Sequence, residues 1–93
     1  MTFEEAKAKA EINVNKVGKI IMKIQENNDY WFFEAGLPNE VFVDDGAGSV
    51  YVSKKDGAII PMHLWLPEIQ ELNVKFQENS STIYDYYNEK NND

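Results

Sequence analysis

The spacing of the apolar residues changes abruptly at Gly18, and that switch constrains the fold more than any other feature of the chain. Ahead of it, Phe3, Ala6, Ala10, Val14 and Val17 recur at steps of three and four, which makes one face of an amphipathic helix. Thr2 followed three residues later by Glu5 is a capping box, in which hydroxyl and carboxylate each satisfy a backbone N–H left free at the helix start. The spacing predicts a helix over residues 2–15. From Lys19 the step becomes two: Ile20, Met22 and Ile24 point one way, Lys19, Lys23 and Gln25 the other, with Ile21 an exception on the polar side. A chain that opens as a helix and continues as alternating strands is an α+β chain.

The remaining strands follow from turn chemistry. Asn27-Asn28-Asp29 closes the first strand, read over 19–25, and Tyr30-Trp31-Phe32-Phe33-Glu34-Ala35 is a second, rich in strand-favouring aromatics and ended by Gly36-Leu37-Pro38-Asn39. Residues 40–44 alternate again and break at Asp45-Gly46-Ala47-Gly48. Ser49 to Ser53 is expected to pair with Ala58 to Ile60 across Lys54-Lys55-Asp56-Gly57, since Asp-Gly between alternating runs is a strong hairpin signal. Beyond Pro61 the pattern turns helical. Pro67 suits a first helical turn, and Leu66, Ile69, Leu72 and Phe76 predict a helix over 66–77, although residues 73–77 also alternate as a strand would. Ser80-Ser81-Thr82 is read as the cap of a short last helix over 83–89, with a polar tail over 89–93. The expected architecture is one domain over residues 1–88: an N-terminal helix packed on a four- to five-stranded antiparallel meander, with one or two C-terminal helices.

Several chemistries are excluded by composition. With no Cys there is no disulfide framework, thiol nucleophile or Cys-based zinc site, and with one His no site that needs two. His63 stands between Met62 and Leu64 and is read as a structural or surface residue. No nucleophile elbow, zinc-protease motif or phosphate loop occurs, and Gly46-Ala47-Gly48-Ser49 leads into a strand rather than a helix N-terminus. The adjoining Asp44 and Asp45 lack the alternating oxygen ligands of a calcium loop. No catalytic residue, metal or cofactor is expected, and the chain is read as a non-enzyme. Its opening residues hold neither a basic nor an apolar leader region, and its longest apolar runs fall far short of the roughly 20 residues that span a bilayer, so it is read as soluble and cytoplasmic.

Charge is the remaining guide. Sixteen acids face nine Lys, a net charge of −7, which argues against direct nucleic-acid binding. Placement matters more than the total. From Asp29 to Asp45 there are five acids and no Lys, and from Glu68 onward six acids against Lys75 and Lys90. On a meander such residues can converge at one sheet face. Tyr30, Trp31, Glu34, Glu40, Asp44, Asp45 and Tyr51 are the candidate partner-binding set, acids for steering and aromatics for anchoring, against the plainer reading of a solvated acidic surface.

The order of a helix with Phe3, Ala6 and Ala10, the Tyr30-Trp31-Phe32-Phe33 strand, a Gly-rich turn, and then Val50-Tyr51-Val52-Ser53-Lys54-Lys55-Asp56-Gly57 resembles the immunity protein 35 domains of bacterial polymorphic toxin systems over residues 3–76. The helix and the closing hairpin also resemble PepSY-like domains, which are usually exported. The first resemblance implies a cytosolic antidote that binds a toxin's catalytic domain; the acidic charge suits a basic protein partner, and the sheet edges leave monomer and homodimer both open. The alternative is an accessory or phage-related interaction domain. Replacing Asp44 and Asp45 with Asn is expected to weaken capture of a basic partner at low salt and leave folding intact. Unchanged association and unchanged salt dependence would remove both residues from the interface.

Overall fold

Thr2 starts the first helix as its spacing requires. In the computed structural model, which describes residues 1–38, 46–62 and 66–91, the Thr2 N–H donates to Glu5 Oε1 at 3.1 Å and the Glu5 N–H to Thr2 Oγ1 at 3.2 Å. The Thr2 backbone N–H, followed by its side chain, holds the Glu5 carboxyl below its ordinary range. Helix α1 runs Phe3–Lys16 and buries Ala6, Ala10 and Val14. Small residues on that face let the helix axis approach the sheet closely, and Phe3 at its start stacks on Phe33, ring centroids 6.2 Å apart. Gly18, at φ +75, reverses the chain.

Among the described residues five strands form one sheet: β1 (Ile20–Glu26), β2 (Tyr30–Gly36), β3 (Val50–Ser53), β4 (Ile59–Pro61) and β5 (Ser81–Asp85), in the spatial order β4-β3-β2-β1-β5 with every neighbouring pair antiparallel. The first four are a meander. Helix α2 (Pro67–Glu78) then carries the chain to the opposite edge, where β5 joins β1, and α3 (Tyr86–Asn91) follows directly. The architecture is α+β, as the change of period implies. The strand expected over residues 40–44 lies outside the described residues; β2 pairs with β1 on one side and β3 on the other.

Register assigns the two faces. Trp31 and Phe33 on β2 align with Val52 and Val50 on β3 and with Ile24 on β1, and this face packs under α1. Phe32 and Tyr51 lie on the other face beneath Leu72 and Phe76 of α2. The 3.6-residue reading of 66–77 is therefore right and the alternating reading of 73–77 is not: Ile69, Leu72 and Phe76 are buried, and Pro67 occupies the first turn.

Two expectations need correction. Ile20, Met22 and Ile24 do not share one face, because a β-bulge lies between Ile21 and Lys23. The extra residue resets the alternation, so Ile21, the apparent exception, packs with Ile24 against the α1-side core, while Ile20 stays 38% exposed. The C-terminal segment also differs. Ser80 ends α2 by donating its hydroxyl to the Phe76 carbonyl at 2.7 Å instead of starting a helix, and residues 81–85 form β5. The outer edge of β1 offers a row of backbone partners, and Thr-Ile-Tyr suits a strand better than a helix. The last helix begins only at Tyr86, its first turn capped by Asp85 Oδ1, which accepts the Tyr87 N–H at 3.1 Å, and it reaches Asn91, past the expected start of the tail.

The hairpin from β3 to β4 forms as its Asp-Gly turn requires, with Gly57 at φ +71 and the Ser53 N–H bonded to the Ala58 carbonyl at 2.9 Å. The Ala58 N–H, ahead of the Ser53 side chain, holds the Asp56 carboxyl below its ordinary range. Gly46-Ala47-Gly48-Ser49 is a structural turn. Ser49 is fully buried and its Oγ accepts the Ala35 N–H at 2.9 Å. Gly48 has φ +92, and a Cβ there would sit 2.7 Å from Val17 Cγ2 and 3.3 Å from Ala35 Cβ, whereas at Gly18 a Cβ would meet open space. Gly48→Ala is expected to lower the unfolding free energy by on the order of 2 to 3 kcal/mol in urea denaturation, against about 1 kcal/mol for Gly18→Ala. Equal losses would mean that close packing at Gly48 adds nothing to the cost of its backbone conformation.

Candidate partner-binding surface

Alternation along β2 separates the aromatic residues that sequence placed in one patch. Tyr30 and Tyr51 share the α2 side, with ring centroids 6.3 Å apart, while Trp31 lies on the α1 side. Trp31 is 7% exposed, set edge-on to Phe3 at 5.9 Å, with Lys54 Nζ 5.2 Å from its ring centroid. That ammonium also pairs with Glu26 at 2.8 Å, so it bridges the β1–β2 and β3–β4 turns. Tyr51 is 2% exposed. It stacks with Phe32 at 4.6 Å and Phe76 at 5.0 Å, and its hydroxyl donates to Asn73 Oδ1. Burial pushes the Tyr51 phenol up to about 12.

Both rings are therefore core rather than anchors, and of the candidate set only Tyr30, half-buried, and Glu34, exposed, offer surface among the described residues. Glu34 stands opposite Lys23 in the β1–β2 register and borders a shallow cavity of about 320 Å³ with Gln25, Asn73 and Gln77. Glu40, Asp44 and Asp45 lie outside the described residues, as does His63.

A larger feature was not anticipated. Helix α1 packs on β1, β2 and β3, and the strip over β5 and the outer side of β1 is left open. The result is a groove of about 590 Å³ floored by Ile21 and Ile24 of β1 and Ile83 and Tyr84 of β5, walled by Phe3, Lys7, Glu11 and Asn15 of α1, with Ile20, the first residue of β1, on its rim. Two bulges fill its floor. The first directs Ile21 to this side. The second lies in the β1–β5 pairing, where Ile24 is opposite Tyr84 and Gln25 opposite Thr82, leaving Ile83 as the extra residue. Strict alternation would send Ile83 and Tyr84 to opposite faces, and with the bulge both line the groove. Ile83 is 44% exposed there. The sequence signal for this was the Ile20-Ile21 doublet that broke the alternation.

Among the described residues no group of three or more His, Asp or Glu is placed to hold a metal ion, and no helix is long and apolar enough to cross a membrane. No family model matches the chain, and no curated protein or solved structure matches it either.

Buried Tyr51 makes stability depend on pH in a definite direction. The unfolded chain releases this proton near pH 10 and the folded chain only near 12, so across that window the unfolded state alone is ionised and stability falls as pH rises. Below pH 10 the residue is neutral in both states and contributes no slope. Tyr51→Phe is expected to remove this part of the decline, read as urea midpoints at pH 9, 10 and 11. A variant whose midpoints fall as steeply as the parent's would show that Tyr51 is not the group responsible.

Proposed function

We propose that the protein is a partner-binding module that acts by stoichiometric association, as a cytosolic antidote to a basic bacterial toxin domain. The observation that carries this reading is the open groove between α1 and β5, whose floor is mostly isoleucine and stays accessible at Ile83, with Ile20 exposed on its rim. Contiguous apolar surface of this kind on a small domain marks an interaction site. The chain's charge of −7 supports it, because an acidic surface attracts a basic partner over long range while the apolar floor supplies contact energy at short range. The ordering of the N-terminal helix, the aromatic strand and the Lys-Lys-Asp-Gly hairpin, which resembles immunity protein 35 domains, supplies the class of partner. Inhibition then needs no turnover: the bound antidote covers or distorts the toxin's site.

The test is protection. Co-expression with the toxin encoded beside this gene is expected to restore growth, and the purified pair to elute as a 1:1 complex whose association slows as salt is raised. Failure to protect, with no complex between the purified proteins, would end the antidote reading.

A further inference from the structure

We infer that the groove is the floor of a strand-addition site: a short, extended, basic segment of the partner pairs with the outer edge of β5 and lowers alternate apolar side chains onto Ile83. This rests on the partner-binding reading above and specifies its contact.

The two edges of the sheet are unlike. β4 is three residues long and carries Pro61, which has no N–H to give, so it is a blunted edge. β5 is five residues long, Ser81-Thr82-Ile83-Tyr84-Asp85, with neither Pro nor Lys, and among the described residues no strand pairs with its outer side. Its backbone groups on that side face outward, and the partner that satisfies them is extended chain. The groove adjoins this edge through Ile83 and Tyr84, so side chains alternating from an added strand reach an apolar surface on the α1 side. The bulge at Ile83 twists the edge and limits the addition to a few residues.

Charge selects which strand adds. Between Lys75 and Lys90 the chain holds Glu78, Asp85 and Glu89 and no base; with Lys23 opposite Asp85 on β1 and Lys7 beside Glu11 on the groove wall, the surroundings of β5 carry an excess of acid. A second copy pairing β5 with β5 would set these acids against their own kind. A segment alternating Lys or Arg with apolar residues meets them with opposite charge and fills the groove with its other side chains.

The experiment titrates the full chain, labelled with nitrogen-15, with a blocked seven-residue peptide alternating lysine and isoleucine, and separately with its glutamate counterpart. Saturable amide shifts confined to residues 81–85 and the groove walls are expected, with affinity for the lysine peptide at least about tenfold higher. Ile83→Ser, which removes an exposed side chain, is expected to melt like the parent and bind the lysine peptide about tenfold more weakly. Equal binding of both peptides, shifts spread over the whole acidic surface, or an unaffected Ile83→Ser would each overturn the inference. A dimer that forms without peptide and protects the β5 amides would assign the edge to a second copy and overturn it as well. Failure of the titration alongside intact protection in cells sinks this docking mode alone, whereas loss of protection sinks the antidote reading itself.

Discussion

The central strand β2 buries both of its faces, and most of the architecture answers that demand. Trp31, Phe33 and Ala35 face one way and Phe32 the other, each with less than a tenth of its surface exposed. Burying large apolar side chains contributes roughly 1.5 to 3 kcal/mol each, and in so short a chain few other sources of stability compare. One helix cannot cover two faces. The chain therefore supplies α1 to one side and, after the meander, α2 to the other, and the crossing of α2 from the β4 edge to the opposite edge is what places β5 beside β1. The groove is a by-product of the same arrangement: α1 is centred on β1, β2 and β3 of the meander, and the space between it and β5 is left open.

Lysine side chains hold the turns to this frame. Lys9 Nζ donates to the Gly57 carbonyl at 3.4 Å and Lys19 Nζ to the Ala47 carbonyl at 2.9 Å, so α1 and the turn that follows it each reach a loop at one end of β3. Lys54 ties β1 to the hairpin through Glu26 and shields Trp31. These contacts draw basic groups into structural roles.

Sequence reasoning served where one local rule governed a segment. The capping box at Thr2, the Ala6, Ala10 and Val14 stripe, the Asp-Gly hairpin and the Pro67 start of α2 all formed where spacing placed them. It failed where a long-range partner decided. Nothing local tells Ser81 to Asp85 that an unpaired β1 edge waits for it, and the helix-capping potential of Ser80 was spent on ending α2. Bulges were equally hidden, since they show only as a lapse in alternation, at Ile21 and again at Ile83. The candidate site suffered most. Tyr51 and Trp31 looked like surface anchors because aromatics near acids suggest contact, but alternation sent them to opposite faces and two helices covered them.

The pairing of β5 with β1 has a temporal consequence. The floor of the groove is assembled from β1 and β5, so it is a contact of high sequence separation, and such contacts form after the loop between them has closed. On the ribosome the meander, whose three pairings all join consecutive strands, has all its residues available while the outer edge of β1 still lacks its neighbour. Completion of the surface therefore waits for residues 81–85 to pair with β1. A molecule cut short before Ser81 would keep the meander's strands yet present β1, not β5, as its bare edge, and with it a different surface to any strand it met.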